Sequence, residues 1–200
     1  MVGCGILRRE VEHVVQRRSW QVELEFFNSA LHVHLGHLSQ CLNHALCRHA
    51  GRDTVVFYGV CHPQIDEMMR DAHAVRTHGQ NCIDFLLGPE RFQRELESGA
   101  FFLLEDWARR WRPFMEQTWG PNWAVTREIF AGAHTHLLAV RTPCSGDFTA
   151  AAEQAAADLD LPLRWIDVDL DHLEAVLDEA FTRRLRARDD ARSATMTRDE

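Results

Sequence analysis

The sequence predicts an α/β fold, with a mostly parallel sheet that is built from repeated βα units and has helices on both faces. Residues 54–58 (TVVFY) are β-branched and aromatic, which is typical of a strand that is buried on both sides. Pro63 then suits the first position of a helix in which Ile65, Met68 and Met69 lie on one face. The same passage from strand to helix recurs near both ends of the chain, so we predict a repeated βα plan.

Taken in order, the first half of the chain predicts four such units. A short strand ends near residue 4 and leads into a helix over residues 6–18. Strict alternation over residues 20–26 predicts a half-exposed second strand. The helix after residue 34 carries an apolar stripe that includes Cys41, which we predict to be a core residue, whereas Cys47 falls among solvated positions. Residues 74–77 predict a short fourth strand.

The second half continues the pattern with strands predicted at residues 99–104, 136–140 and 163–168. We predict one α/β domain over residues 1–182, because no linker divides it. Residues 183–200 are charged and poor in apolar side chains, which predicts a disordered tail. Four side chains recur at helical spacing, and we interpret them as core packing rather than as a stacking platform for a ligand: Trp107, Trp111, Phe114 and Met115.

The composition narrows the class of protein. The net charge of −8 argues against a nucleic-acid binder, and all 22 basic residues are arginines, which excludes a Schiff-base lysine and the lysine of a phosphate-binding loop. No run approaches the roughly 18 apolar residues of a membrane span, and the first residues do not resemble a secretion signal. We therefore expect a cytoplasmic protein, and we also expect that the true start lies upstream. In that compartment six cysteines indicate free thiols or metal ligands rather than disulfides.

Four cysteines carry the clearest functional signal. Cys4, Cys61 and Cys144 each follow a predicted strand, and Cys82 stands in a turn before a helix. The carboxyl ends of parallel strands share one edge of a sheet, so we expect these thiols to converge there. Their number and softness predict a zinc ion or an iron–sulfur cluster, with His32 as a further ligand. The alternative is that cysteine is a small residue that suits tight turns, since no CxxC pair is present.

Other side chains near these turns are candidates for catalysis or binding. His62 is a candidate for acid–base catalysis or for a mixed metal-ligand set. Tyr58 is a candidate catalytic residue whose hydroxyl could donate to a ligand oxygen, and the alternative is that it packs in the core. Arg141 could bind a substrate carboxylate or phosphate, and Asp147 either contacts the same substrate or caps the following helix. Catalysis by a cysteine nucleophile without metal is a competing interpretation.

Several motifs resemble the uncharacterised domain of unknown function family 1638. They are Cys4-Gly5-Ile6-Leu7, Ala30-Leu31-His32, Tyr58-Gly59-Val60-Cys61, Asn81-Cys82-Ile83 with Leu86-Leu87-Gly88, and Gly99-Ala100-Phe101-Phe102-Leu103 with Trp107. Residue 62 is histidine where the family usually has glycine. The resemblance implies a metal-binding protein encoded near corrinoid-dependent methyltransferase systems, and hence a role in one-carbon or methyl transfer.

These observations predict a cytoplasmic, cysteine-ligated metalloprotein, which as an enzyme would be a metal-dependent lyase or methyltransferase acting on a small-molecule substrate. A cluster iron with an open position would act as a Lewis acid, whereas zinc would activate a thiol for methyl transfer. The first alternative is a non-catalytic binding module for a methyltransferase or corrinoid protein. It would show an exposed apolar patch, which the tryptophans at positions 107, 111, 119 and 123 could form. The second alternative is a metal-free thiol enzyme.

Overall fold

The computed structural model describes residues 1–196, and it describes their side chains except at positions 32, 191, 192 and 194–196. The chain forms two compact units. The first contains Met1–Phe85 and the described residues from Asp171 onward, and the second contains Leu86–Leu170. This division differs from the single domain predicted for residues 1–182.

The first unit is built on a four-stranded parallel sheet. Its strands are β1 (Val2–Cys4), β2 (Glu25–Phe27), β3 (Val55–Phe57) and β4 (Val75–Arg76), and their order in the sheet is β2-β1-β3-β4. Strand β1 is central, with Gly3 opposite Phe26 of β2 on one side and Phe57 of β3 on the other. Strand β2 is shorter than the predicted alternating segment. The backbone before it turns instead, with the N–H of Val22 donating to the carbonyl oxygen of Trp20.

Helices connect these strands on both faces. They are α1 (Arg8–Arg17), α2 (Leu35–Arg48) and α3 (Ile65–Asp71), followed by α4 (Cys82–Leu87), within which the boundary between the units falls. Helix α1 connects β1 to its neighbour β2, and helix α2 connects β2 to β3 on the other side of β1. The two connections therefore run in opposite directions along the sheet. Right-handed crossovers then place α1 and α2 on opposite faces of the sheet.

The last helix of the first unit, α10 (Asp171–Met196), packs against β3 and β4. Leu173, Leu177 and Ala180 form its fully buried stripe. Arg18, which follows the last residue of α1, pairs with Asp178 of α10 at 3.2 Å and so links the two helices. The helix continues to Met196 where the sequence predicts a disordered tail from residue 183. Ion pairs accompany this extension. In one of them, Arg188 of α10 lies 3.1 Å from Asp53, which precedes β3.

The second unit has its own three-stranded parallel sheet. The strands β5 (Ala100–Leu103), β6 (His136–Arg141) and β7 (Leu163–Asp167) lie in the order β5-β6-β7. Five helices surround it: α5 (Pro89–Glu97), α6 (Glu105–Arg109), α7 (Trp111–Trp119), α8 (Trp123–Ala133) and α9 (Thr149–Leu159). Small alanines on the inner face of α9, including Ala152 and Ala155, let that helix approach the core closely.

The aromatic run of α6 and α7 contributes to this second core. Trp111 and Met115 are buried, and Trp107 stacks on Phe114 with their ring centroids 5.7 Å apart. The prediction that these side chains serve packing is confirmed.

The predicted fold class is confirmed, since every strand pairing in both sheets is parallel and helices surround both sheets. The strands form two sheets rather than the one that the sequence predicts. Among residues 1–196, no helix combines the length and the apolar character that crossing a membrane requires.

Candidate thiol site

The strand order of the first sheet marks the carboxyl ends of β1 and β3 as a candidate ligand-binding edge. The chain leaves β1 toward β2 and later returns past β1 to β3, so the direction of winding reverses between these two neighbouring strands. Open α/β sheets bind their ligands at this reversal, outside the carboxyl ends of the strands. Cys4 is the last residue of β1, and the loop after β3 carries Tyr58 and Cys61. Sequence alone does not reveal the strand order, and therefore does not reveal the reversal.

Close packing fixes the position of Cys4, which is only 4% exposed. A Cβ atom on Gly3 would lie 2.5 Å from the Cβ of Phe57, and one on Gly5 would lie 2.7 Å from the carbonyl oxygen of Phe27. Both distances are shorter than any side chain tolerates, so only glycine lets β1 lie this close to its neighbours. The thiol between these two glycines is thereby held at the edge of the sheet.

The loop of Cys61 is joined to the loop of Cys82 through backbone contacts. The N–H of Val60 donates to the carbonyl oxygen of Gln80 at 2.8 Å. A Cβ on Gly59 would lie 2.2 Å from that same oxygen, so the two loops touch at a residue that has no side chain. The bond and the close contact hold the two thiol-bearing loops against each other.

Helix α4 begins at Cys82 because Asn81 caps it. The Oδ1 atom of Asn81 accepts hydrogen bonds from the N–H groups of Ile83 and Asp84, at 2.9 and 3.1 Å. The buried carboxylate of Asp84 in turn accepts the N–H of Gln80 at 2.7 Å. These bonds fix the turn that presents Cys82.

Electrostatic interactions link three of the predicted ligands. Tyr58 is 1% exposed, and burial raises the pKa of its hydroxyl well above the ordinary value, with further contributions from Cys4, Cys61 and Cys41 and a hydrogen-bonding interaction with Cys4. The pKa of Cys82 is raised first by burial and then by Cys4 and Cys61. Cys4 and Cys61 thus act on both Tyr58 and Cys82.

Cys61 and Cys82 are protonated at neutral pH in the absence of a cation. Burial also raises the pKa of Cys61, opposed by the backbone at Gly59 and by Arg76. Cys82 as a whole residue is partly exposed, but its sulfur lies deep enough for burial to be the leading cause of its raised pKa. A bound metal ion would reverse this balance, because its charge favours the thiolate.

The donor set suits a soft metal, since thiols are preferred by zinc and by iron–sulfur clusters. Among the described side chains, no group of three or more His, Cys, Asp or Glu residues is arranged so that it could hold a metal ion. Metal binding would therefore require the thiols to turn toward a common centre. The side chain of His32, the fifth predicted ligand, lies outside the described part of the structure.

His62 is buried beside the cluster at 5% exposure, and it has a structural contact. Its Nδ1 atom accepts a hydrogen bond from the N–H of Gln64 at 3.1 Å, which shapes the turn before α3. In the neutral ring the proton is then carried by Nε2. The predicted catalytic roles of His62 and Tyr58 remain predictions.

Two predicted substrate-binding residues belong to the second unit. The guanidinium of Arg141 donates to both carboxylate oxygens of Asp167, at 2.8 and 3.2 Å, and lies 4.7 Å over the ring of Trp165. Asp147 accepts the N–H of Thr149 at 2.9 Å, which lowers the pKa of its carboxyl group. That bond matches the helix-capping alternative, and substrate binding by either residue remains a prediction.

Cys144 also belongs to the second unit, in a turn built by hydroxyl groups. Its N–H donates to Oγ1 of Thr142 at 3.1 Å, and the N–H of Thr142 donates to Oγ of Ser145 at 3.0 Å. The buried Glu105 accepts the N–H of Gly146 at 2.8 Å and so anchors the same loop. The predicted participation of Cys144 in a shared metal site remains a prediction.

One residue near the cluster carries no functional role in the sequence analysis. Cys41 of α2 is assigned there to the core because it lies in the apolar stripe. Cys41 is half-buried, and it contributes to the raised pKa of Tyr58. Periodicity could not reveal this, because it identifies the inner face of a helix but not which strand ends lie beneath that face.

Comparison with known proteins gives one match. The model of the family described as "Protein of unknown function (DUF1638)" matches residues 26–177. Neither the curated proteins nor the solved structures contain a match to the chain.

Proposed function

The chain belongs to the DUF1638 family, and we propose that it is a cytoplasmic metalloprotein that binds an iron–sulfur cluster or zinc through Cys4, Cys61 and Cys82. One observation carries this proposal: Cys4 and Cys61 lie at the carboxyl ends of β1 and β3, where the winding of the parallel sheet reverses, and the loop of Cys82 is hydrogen-bonded to the loop of Cys61. That edge is the usual ligand-binding edge of open α/β sheets.

The protonation state of the thiols supports a metal over a metal-free thiol enzyme. A cysteine nucleophile needs a lowered pKa at neutral pH, and its surroundings are usually electropositive. Burial instead raises the pKa of Cys61 and Cys82, and Arg76, which acts on Cys61, already donates to Asp66 at 2.6 Å. A metal cation would supply the positive charge that these thiols lack.

Three protein thiolates would leave one coordination position for a substrate. A cluster iron or a zinc ion in such a site supplies Lewis acidity toward a bound oxygen or thiol. The buried hydroxyl of Tyr58 beside Cys4 would help to orient that substrate. We therefore propose a small-molecule substrate and either lyase or methyl-transfer chemistry. The link to corrinoid-dependent methyl transfer rests on the family resemblance alone.

The test is to purify the protein without oxygen and to measure bound iron, zinc, cobalt and sulfide. We expect stoichiometric zinc, or iron with sulfide and a brown colour, and we expect Cys61→Ala to lose it. Cys47→Ala is the matched control, because Cys47 is an exposed cysteine of the same unit and should not affect metal content. Wild-type protein without metal after growth in metal-supplemented medium and anaerobic reconstitution would contradict the proposal.

A second candidate function, a binding module for a corrinoid or methyltransferase protein, is favoured by an apolar patch in the second unit. Trp119 is 46% exposed at the end of α7, and Val125 and Ile129 are 47% and 43% exposed one turn apart on α8. Of the other predicted patch residues, Trp111 is buried, and the indole N–H of Trp123 donates to Glu116 at 3.3 Å. Calorimetry with a purified corrinoid protein tests this function. Trp119→Ser should weaken binding, whereas Leu96→Ser, at an exposed leucine of the same unit, should not.

A further inference from the structure

An arginine interrupts the apolar stripe of α10. Leu173, Leu177 and Ala180 recur at helical spacing and are fully buried, and the next position of this stripe is Arg184. The Arg184 side chain is only 16% exposed, so its charge is held largely away from solvent. A charged group at such a position is costly unless other groups pair with it. The partners of Arg184 therefore indicate what this position is built to hold.

The guanidinium of Arg184 is only partly satisfied within the protein. Its Nη2 atom lies 3.3 Å from the carboxylate of Asp53. Its Nε atom is buried and has no hydrogen-bond partner among the residues that the structure describes. A guanidinium presents its N–H donors in one plane, with the spacing of the two oxygens of a carboxylate. The unpartnered donor is therefore available to an anion from outside the chain.

Arg184 lines a cavity of about 500 Å³ at the amino ends of three strands of the first sheet. The lining includes Val2 at the start of β1, Glu25 at the start of β2 and Val55 at the start of β3, together with residues of α10. Such a volume accommodates a small organic molecule. The thiol site lies at the opposite, carboxyl edge of the same sheet.

Apolar side chains line the same cavity. The rings of Trp20 and Phe181 pack edge to face with their centroids 4.9 Å apart, and Val22 and Leu185 extend this apolar surface. Phe181 lies about one helical turn before Arg184 on α10. A ligand whose anionic group reaches Arg184 would therefore place an apolar or aromatic body beside these two rings.

The acidic residues of the lining favour a ligand with a single negative charge. Among the described residues, four carboxylates line the cavity, and each pairs with a base: Glu23 with Arg52 at 2.7 Å, Glu25 with His49 at 2.9 Å, Asp53 with Arg184 at 3.3 Å and Asp178 with Arg18 at 3.2 Å. These pairs reduce the repulsion that the carboxylate of a ligand would meet. A doubly charged phosphate would be repelled more strongly by the same groups.

We propose that this cavity binds a small aromatic monocarboxylate, whose carboxylate pairs with Arg184 while its ring lies against Trp20 and Phe181. The site is separate from the proposed metal site, since none of the thiol-bearing residues of that site lines the cavity. Its test needs no metal, so its outcome is independent of the outcome for the metalloprotein proposal.

The experiment titrates phenylacetate, 3-phenylpropionate and indole-3-propionate into the full-length protein and follows binding by saturation-transfer NMR. We expect at least one of these acids to bind with a Kd of about 1 mM or lower. Its neutral amide should bind at least about tenfold more weakly, because the charge-assisted hydrogen bond is lost. Arg184→Gln should weaken binding of the acid by a similar factor. Arg188→Gln is the matched control, because Arg188 also pairs with Asp53, at 3.1 Å, but does not line the cavity.

Hydrogen–deuterium exchange of the wild-type protein gives a readout that needs no variant to fold. The acid should slow exchange in peptides that cover residues 20–25 and 178–185, and the amide at the same concentration should not. The proposal would be overturned if no acid binds up to about 10 mM, if acid and amide bind equally, or if a folded Arg184→Gln binds like the wild type. Displacement of the acid by an equal concentration of inorganic phosphate would overturn the assignment to an aromatic carboxylate.

Discussion

The backbone N–H of Val60 donates a 2.8 Å hydrogen bond to the carbonyl oxygen of Gln80, and this bond joins the loop of Cys61 to the loop of Cys82. The bond can form only because Gly59, the residue before Val60, has no side chain to strike Gln80. The spacing of two thiols thus depends on a residue that carries no functional group.

Gly59→Ala should therefore damage both the fold and the site. The new Cβ would lie 2.2 Å from the Gln80 oxygen, and relief of that clash would separate the two loops. We expect the free energy of unfolding to fall by about 3 kcal/mol, as measured by urea denaturation, with loss of bound metal. Gly36→Ala is the control, since nothing lies within 4 Å of a Cβ at that helical position. It should stabilise the protein by about 0.5–1 kcal/mol. Equal stability of the two variants would refute this account.

Glu105 should be an important polar residue for the stability of the second unit. Its side chain is nearly buried and accepts hydrogen bonds from Arg109 and from the N–H of Gly146, each at 2.8 Å. Glu105→Gln removes the negative charge and places an amide N–H group against one of the two groups that donate to Glu105. We therefore expect the free energy of unfolding, measured by urea denaturation, to fall by about 2 kcal/mol. Glu12→Gln is the matched control, because Glu12 pairs with Arg8 at 2.7 Å on the exposed surface. If Glu12→Gln lowers the free energy of unfolding as much as Glu105→Gln does, the burial of Glu105 is not the cause of its effect.

The second unit should lose stability in mild acid because of His136. This histidine is 1% exposed, its Nδ1 atom lies 2.8 Å from the Thr135 hydroxyl, and its Nε2 atom has no hydrogen-bond partner among the described residues. Burial, and then Arg164, lowers the pKa of His136, while Glu95 opposes the change. Below pH about 6.5, His136 therefore binds a proton more readily in the unfolded chain than in the folded protein. The free energy of unfolding thus decreases as the pH is lowered.

Urea denaturation at pH 7.5 and pH 5.5 tests this effect. We expect His136→Gln to lose less stability between the two values than the wild type, whereas a Gln substitution at the exposed His13 should leave the pH dependence unchanged. If His136→Gln and the wild type lose the same amount, the acid sensitivity has another origin.

The thiols of the metal-free protein should differ in their reaction with iodoacetamide at neutral pH. The raised pKa values of Cys61 and Cys82 keep these two thiols protonated, so we expect slow alkylation that accelerates as pH increases. Exposed Cys47 should react first, as followed by mass spectrometry of the digested protein. Faster labelling of Cys61 than of Cys47 would instead support the metal-free thiol enzyme.

The sequence reveals the βα units well but not their assembly. β-branched runs such as residues 54–58 identify buried strands because local side-chain chemistry decides burial there. Strand order is set by packing between distant segments, so the central place of β1 and the presence of two sheets leave no local signal. Cys4 and Cys61 could be proposed because each lies at the end of a predicted strand, and Cys82 because it stands in a turn before a helix.

The three thiols of the proposed metal site are carried by β1, the loop after β3 and the start of α4, so no two of them belong to one local motif. A CxxC pair can bind a metal ion before the chain has folded. These three ligands come close together only after the parallel sheet has formed. The protein would have to reach its native structure empty and acquire its cofactor afterwards. Cells that lack the metal should consequently accumulate folded, metal-free protein instead of degrading it. This metal-free protein could later be activated by the metal without new protein synthesis.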